Sequence, residues 1–480
     1  MNLTNSFNSK LKWFYIISIA FIGLNAVLIA FDFYWLNLLP AIALIIYLAL
    51  FSTTELLLFV VFCTPLAITL KDYDIDIGLS LPTEPILFGL TLIFLFKIIY
   101  DNSFNLRIFK HPVSISIYFY LAWMLVTSLT STLPVVSIKF LISKLWFIIP
   151  FYFIANEIFI NNKKNIKIYT WLYMISLMIV IIYTISRHAG FNFAQKQAHW
   201  VMDPFYNDHT AYGVVLAMFV PILTGFSFSS TTSRNIKIIS LIFLIIYLFA
   251  TVLSYTRAAW LSIAVALIVY LILLFKIKLR TILISFGSFL ALFLMFHNEI
   301  SIIMGRNKQD SATNYFKHLK SMYNVSTDAS NKERLNRWDC AIKMFCEKPV
   351  FGWGPGTYQF KYAPFQEKKY ETIISTNAGN RGNAHSEYLG PLSESGLLGT
   401  LSFLAIIFSV IYTSVKTYKN SNNKEYKFLT LIFLLSLITY FVHGFLNNFL
   451  DTDKASAPFW GFIAAIVAID IADKKERNLL

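Results

Sequence analysis

Long apolar stretches alternate with short polar segments along most of the chain. Each stretch is long enough for a helix to cross the roughly 30 Å hydrocarbon core of a bilayer. The predicted spans have the approximate bounds 12–31, 34–51, 54–70, 83–100, 112–130, 139–160, 168–186, 209–229, 237–255, 258–275, 281–297, 397–415, 428–446 and 458–472. Only Ser52 and Thr53 separate the second span from the third. The pattern therefore predicts an all-α, polytopic transmembrane helix bundle of about 12–14 spans.

One polar segment of about 100 residues, from about His297 to Gly396, interrupts this alternation. We expect four regions: N-terminal spans over residues 1–200, further spans over 201–297, a large and partly helical loop over 298–396, and C-terminal spans with a short tail over 397–480. A membrane protein with one large polar loop is expected to carry its chemistry at the face where that loop lies.

Composition supports a membrane protein and excludes an ordinary soluble one. The chain is 57% hydrophobic and 14% charged, whereas soluble proteins carry about 25% charged residues. The net charge of +14 does not indicate nucleic acid, because much of the excess lies in short loops between predicted spans. The three cysteines, Cys63, Cys340 and Cys346, do not suggest a disulfide framework.

The basic residues between spans predict the orientation of the chain. Counted from a cytoplasmic N-terminus, the clusters in short loops all fall on one side, which is the cytoplasmic side by the positive-inside rule. They comprise Arg107 and Lys110; Lys163, Lys164 and Lys167; Arg234 and Lys237; Lys276, Lys278 and Arg280; Lys416, Lys419, Lys424 and Lys427; and Lys474, Lys475 and Arg477. Both termini are therefore expected in the cytoplasm and the large loop outside it.

The loop contains a predicted helix with two arginines. Ser330 and Glu333 have the spacing of a capping box, and Pro349 ends the helix. An apolar stripe is predicted along it at Leu335, Trp338, Ile342 and Phe345. Arg334 and Arg337 project from neighbouring positions, and guanidinium groups bind phosphate oxygens in bidentate fashion. The alternative is an amphipathic helix whose arginines reach from the membrane surface into water.

His385 is the most prominent single candidate for chemistry. A histidine with a pKa near neutrality can take a proton from a hydroxyl group. Glu387 or Glu394 could orient it, although a loop histidine is often only structural. The turn at residues 352–356 (GWGPG) lacks the Lys-Ser/Thr pair of a phosphate loop, which disfavours nucleotide binding.

Other cationic groups are predicted at the same outer face. Arg257 lies between the ninth and tenth spans, His209 opens the eighth, and Lys139 and Lys144 lie near the outer half of the sixth. Such a collection could hold a diphosphate, or it could be a scatter of interface anchors. The loop has no HExxH, CxxC or Asp-rich pair, so a zinc enzyme is disfavoured.

Taken in order, these pieces resemble the O-antigen ligase and polymerase superfamily of bacterial integral-membrane glycan transferases. The resemblance covers about residues 200–410. It rests on Asp208-His209-Thr210, on residues 254–261 (SYTRAAWL), on Arg334 and Arg337-Trp338, and on residues 348–356 (KPVFGWGPG), 383–388 (NAHSEY) and 394–399 (ESGLLG).

The resemblance implies a metal-independent glycosyl transfer without a cofactor at the periplasmic face of the bacterial inner membrane. The donor would be a glycan on undecaprenyl diphosphate, and the acceptor a lipid A-core sugar for a ligase or another lipid-linked repeat for a polymerase. Arg257, Arg334 and Arg337 would bind the diphosphate, with Arg257 and His385 as catalytic groups and Glu387, Glu394 and His209 in support. Membrane lipids and other glycan-assembly proteins are the further partners implied.

Two departures leave the choice between ligase and polymerase open. Ala258 follows Arg257 where the family often has glycine, and the loop is longer than in many ligases. A transporter or flippase is the rival from another class, since it would place ionisable residues inside spans. The candidates for such a path are Asp32, Glu55, Lys97 and His443.

Overall fold

A computed structural model describes residues 2–69, 79–100, 105–278, 329–367 and 382–478, together with isolated residues between 280 and 288. Within these ranges the chain is almost entirely helical, which confirms the predicted all-α membrane fold. The predicted span at 281–297 and the loop stretches 298–328 and 368–381 lie outside the described residues.

The helices follow the apolar stretches closely. They are α1 (Asn2–Ala30), α2 (Leu38–Phe51), α3 (Thr53–Cys63), α4 (Thr83–Tyr100), α5 (Leu106–Phe109), α6 (Pro112–Leu129), α7 (Pro134–Ile148), α8 (Ala155–Asn161), α9 (Lys164–Ala189), α10 (His209–Phe228), α11 (Arg234–Leu253), α12 (Arg257–Leu274), α13 (Ala329–Glu347), α14 (Tyr358–Lys361), α15 (Leu389–Asn420), α16 (Lys424–His443) and α17 (Asp453–Glu476). Two short strands, β1 (Ile68–Thr69) and β2 (Ser80–Leu81), pair antiparallel, with Ile68 opposite Leu81.

Among the described residues, eleven helices are long and apolar enough to cross a membrane. The predicted spans at 34–51 and 54–70 correspond to shorter apolar helices. The predicted span at 139–160 begins earlier, at Pro134, and continues to Asn161 through a π turn at Ile149–Ile154. Pro150 lies in that turn and has no N–H to donate, so the helical ladder is interrupted there.

The chain divides into two compact units, Met1–Phe59 and Val60–Leu480. In the first unit, the apolar span Leu11–Ala30 has no buried residues, which suits contact with lipid. The Asn25 side-chain amide donates to Asn37 Oδ1 (2.6 Å) and so ties α1 to the turn before α2.

The second unit is organised around α17, every residue of whose apolar span is buried. Helix α9 packs closely along α17. The absence of a side chain at Gly461 allows this approach, since a Cβ there would lie only 2.4 Å from the Tyr169 hydroxyl. Tyr169 and Tyr173 donate hydrogen bonds to the α17 carbonyls of Ala457 and Lys454 (2.7 and 2.6 Å). These bonds give the two buried hydroxyl groups the hydrogen-bond partners that lipid and packed apolar side chains cannot supply.

The second unit has two distinct faces, because successive spans run in opposite directions. One face gathers basic loop residues in ion pairs, among them Lys163 with Glu476 and Lys167 with Glu425. The opposite face carries the large loop, where Thr132 donates to the Trp353 carbonyl (3.0 Å). Lys163 and Lys167, from one of the predicted basic clusters, thus lie at the end of the second unit away from the loop.

The loop folds as a small helical layer around α13. Its core consists of buried side chains from three segments of the loop, namely Cys340, Ala341, Met344, Tyr358, Tyr362 and Ala384. Ile342, a member of the predicted apolar stripe, is 47% exposed, so the buried core of the loop lies on another side of α13. Small residues at 340 and 341 allow the two tyrosines to approach α13 from the other side, a tertiary contact that helical periodicity does not reveal.

Candidate functional site

The two arginines of α13 lie in different surroundings. Arg337 is 3% exposed, and its Nε lies 2.6 Å from Glu333 Oε1. Its guanidinium carbon lies 4.0 Å from the centre of the Tyr362 ring. A Cβ at Gly382 would be 1.5 Å from Nη1 of Arg337, so the chain passes directly over the guanidinium group. Arg337 therefore holds α13 to the two loop segments that cover it.

Arg334 is more open and faces a group of histidines. It lies close enough to act electrostatically on the imidazoles of His209, His385 and His443. His209 is the first residue of α10, His443 is the last residue of α16, and His385 lies just before α15. Elements far apart in sequence thus meet around one guanidinium group at the loop face.

His385 has a strained backbone and a low pKa. Its φ is 48°, in the left-handed region that few non-glycine residues adopt. Its N–H donates to Asn383 Oδ1 (3.1 Å), and its carbonyl accepts from Trp338 Nε1 (3.4 Å). Burial and the charges of Arg334 and Arg337 lower its pKa from 6.5 to about 4. The imidazole is therefore neutral at physiological pH and able to accept a proton.

Arg257 begins α12 immediately after a tight turn that touches His209. The Thr256 hydroxyl donates to the His209 carbonyl (2.9 Å), and His209 Nδ1 lies 2.9 Å from the Ser254 carbonyl. Since a carbonyl can only accept, Nδ1 of His209 carries the proton, and its Nε2 is left as the possible acceptor. The turn places Arg257 one residue beyond the contact with His209, on the same face as Arg334.

Glu387 anchors the loop rather than contacting His385. Its Oε1 accepts hydrogen bonds from the Tyr440 hydroxyl (2.7 Å) and from the N–H groups of Phe449 (2.8 Å) and Leu450 (2.9 Å). Its own N–H donates to the Gly444 carbonyl (2.8 Å). Burial is the main cause that raises the pKa of this carboxyl group. The proposed support of His385 by Glu387 is thus indirect, through the backbone between them.

Glu394 holds the glycine-rich turn. Its Oε1 accepts from the Tyr358 N–H (3.0 Å), and its carbonyl accepts from the Gly354 N–H (2.8 Å). Gly352, Gly354 and Gly356 all have positive φ, at 66°, 112° and 73°. A Cβ at Gly354 would lie 1.8 Å from Ser131 Oγ. The turn packs against its neighbours and offers no free backbone cradle for a phosphate.

Two residues of this site were not identified as such from the sequence. Glu333 was expected only as a helix cap, although its spacing to Arg337, four residues on, is the usual signal for a helical ion pair. His443 was considered only for a transport path. It is buried, and its Nε2 lies 3.2 Å from Asn447 Nδ2.

Part of this chain is similar to a known protein family. Residues 242–404 match the family model described as O-antigen ligase. A Haemophilus influenzae protein named only as an uncharacterized protein is 25% identical over 118 residues, which are 24% of this chain and 28% of that protein. The chain therefore spans about 28% of the length of this curated relative. The matched family region runs from α11 through the described loop segments into α15 and includes Arg257, Arg334 and His385.

Proposed function

We propose that the chain is a lipid-linked glycan transferase of the ligase type, a proposal supported by the match of residues 242–404 to the O-antigen ligase family model. It moves a glycan from undecaprenyl diphosphate to a lipid A-core or similar sugar acceptor. The reaction takes place at the periplasmic face of the inner membrane, where the large loop would lie. No metal or cofactor takes part in the proposed chemistry.

The observation that carries this proposal is the meeting of Arg334 with three imidazoles from separate elements. A diphosphate leaving group gains negative charge as its bond to the sugar breaks. A guanidinium group fixed beside that position stabilises the charge without reorganisation. We assign this role to Arg334 and Arg257, and we assign to the enclosed Arg337 the task of holding α13 in place.

His385 is proposed to act on the acceptor. The acceptor hydroxyl oxygen forms a bond to the anomeric carbon of the donor while the bond from that carbon to the diphosphate oxygen breaks. The hydroxyl proton passes to the neutral imidazole of His385, and the bonding electrons leave with undecaprenyl diphosphate. Binding of the anionic donor beside Arg334 would offset the positive charge that lowers the pKa of His385. His385 then becomes a better base at the stage when it is needed.

The first test is the glycan profile of a strain lacking the gene, with and without the gene restored. A ligase predicts long glycan retained on undecaprenyl diphosphate and bare lipid A-core, both reversed on restoration. Core capped by one repeat would instead indicate the polymerase of the same superfamily. An unchanged profile of both glycan pools would contradict the proposal and return attention to transport.

Restoring the gene with Arg334→Gln tests the site itself. Because the side chain is proposed to stabilise the transition state, we expect transfer to fall by about 100-fold or more. Lys343→Gln is the matched control, since Lys343 lies on the same helix but pairs with Asp339 and Glu367 (2.6 and 2.5 Å). Equal transfer by the two variants at equal protein level would contradict the role of Arg334.

A further inference from the structure

A partly open polar cavity of about 70 Å³ lies beside the proposed transfer site. Its polar lining includes Lys144, Ser386, Glu387, Glu394, Asn448 and Asp451. His385 does not line it, so residues 385–387 separate the cationic site from the cavity. A volume of this size holds roughly five water molecules, which is the scale of one sugar ring rather than of a longer glycan.

Lys144 is the unusual member of this lining. It lies ten residues into α7, which begins at Pro134, so its Cα is about 15 Å along the helix and inside the outer half of the predicted span at 139–160. The side chain is 6% exposed, and its Nζ lies 5.1 Å from the centre of the Phe140 ring. Among the described residues, none accepts a hydrogen bond or forms an ion pair from its ammonium group. A buried intramembrane charge without such partners usually marks a functional path or ligand.

The carboxyl groups of the cavity do not supply Lys144 with a bonded partner. Lys144 acts electrostatically on Glu387 and Glu394, yet the structure gives neither a direct bond to the ammonium group. Oε1 of Glu387 and Oε1 of Glu394 are used by hydrogen bonds from other partners. Asp451 is exposed at the edge of the cavity. The cavity thus presents an ammonium donor and carboxyl acceptors in one lining.

The buried ammonium group and the carboxyl groups in one lining indicate the class of ligand. An anion would meet three carboxyl groups, and an acyl chain would leave the polar lining unsatisfied. A metal ion lacks a set of ligands, since no three His, Cys, Asp or Glu side chains in the described ranges are placed to hold one. A neutral sugar ring satisfies both kinds of group, because a hydroxyl group can accept from an ammonium group and donate to a carboxylate. Trp123 and Tyr120 add aromatic surface for its C–H groups.

We propose that this cavity binds one neutral sugar ring, with Lys144 as the principal donor and Asp451 at the mouth. The proposal rests on the proposed function only in naming the source of that ring, which is either the acceptor glycan or the donor glycan. Binding of the sugar itself follows from the cavity and can be measured without transfer.

The direct experiment is saturation-transfer NMR on the detergent-purified full chain, with the methyl glycosides of glucose, galactose and N-acetylglucosamine as probes. We expect at least one glycoside to bind. Lys144→Met should weaken that binding tenfold or more, because it removes a hydrogen bond from a charged donor. Lys139→Met is the matched control, since Lys139 lies on the same helix and is exposed. No binding by the wild type, or equal binding by the two variants, would overturn the proposal.

A second variant keeps the test decisive should Lys144→Met not be recovered as a folded protein. Asp451→Asn changes an exposed side chain, so it is not expected to disturb folding, and it should also weaken glycoside binding. Unchanged binding by Asp451→Asn would then count against the cavity as a sugar site.

Transfer kinetics separate the two sources and separate this proposal from the proposed function. A KM raised only for the acceptor assigns the ring to the acceptor, and a KM raised only for the donor assigns it to the donor. Lysine-dependent glycoside binding without any transfer would refute the proposed function and leave the cavity as a sugar site. Normal transfer, with no effect of Lys144→Met on glycoside binding or on either KM, would refute the sugar site and leave the proposed function standing.

Discussion

At the scale of single residues, His385 feels the charges of two guanidinium groups and adopts a backbone conformation that few side chains adopt. His385→Asn is the most informative change, because asparagine tolerates a positive φ but cannot serve as a base near neutrality. We expect kcat to fall by about 10²- to 10⁴-fold, with little change in thermal stability. The measurement is glycan transfer by the purified variant beside its unfolding temperature. Retention of most of kcat would remove His385 from the mechanism.

The low pKa of His385 predicts an unusual pH dependence. The neutral imidazole is the active form, so activity is present above the pKa and is lost as pH falls through it. Since burial and the two arginines lower that pKa to about 4, kcat/KM should stay level through pH 6 and decline only under strongly acid conditions. In Arg334→Gln one positive neighbour is gone, so the pKa of His385 should rise. The residual activity of this variant should therefore begin to fall at a higher pH as the solution is acidified. An acid limb near the ordinary histidine pKa, unmoved in Arg334→Gln, would contradict this account.

The difference between Arg334 and Arg337 could not be predicted from sequence. Both lie on one helix, three residues apart, and both resemble phosphate ligands. They differ in what covers them: Tyr362 and Gly382, which are distant in sequence, enclose Arg337 and leave Arg334 more open. Local spacing identifies the helix and its cations, whereas tertiary packing decides which cation faces a substrate.

At the scale of elements, the turn at residues 352–356 joins the loop to α15 and to the turn between α6 and α7. Gly354→Ala should destabilise the chain, because φ is 112° and the new Cβ would lie 1.8 Å from Ser131 Oγ. Backbone strain of this kind costs about 1–3 kcal/mol before the clash is counted. We expect a lower unfolding temperature in detergent. Gly89→Ala is the control, since nothing lies within 4 Å of its Cβ position, and equal temperatures for both variants would contradict the packing role.

The elements themselves were largely predictable, for a physical reason. A membrane requires long apolar helices, and hydropathy detects them wherever lipid or packed helices surround a chain. The loop follows different rules, because its core is small and is built from segments such as α13 and Tyr358–Lys361 that cover one another. The predicted helix was found at Ala329–Glu347, whereas the core that Cys340, Ala341 and Met344 form with the two tyrosines was not predicted.

At the scale of the whole molecule, the alternation of spans produces one basic face and one face that carries the loop. The positive-inside rule predicts that the basic clusters share one side, because orientation depends on charges beside each span and not on tertiary contacts. The approach of His209 on α10, His385 before α15 and His443 on α16 to Arg334 could not be read from that rule. It depends on which spans are neighbours in the bundle, and span order alone does not specify neighbours.

The orientation itself can be tested with the natural cysteines. In the described structure Cys346 is exposed and Cys340 is buried. In right-side-out spheroplasts carrying Cys63→Ser, a membrane-impermeant maleimide should therefore label the chain at Cys346, and Cys346→Ser should abolish the signal. The matched control is Lys419→Cys in a chain without the other accessible thiols, which should react only after permeabilisation because Lys419 lies on the basic face. The opposite pattern would place the loop, and with it Arg334 and His385, in the cytoplasm. It would thereby exclude a periplasmic transfer while leaving the fold unchanged.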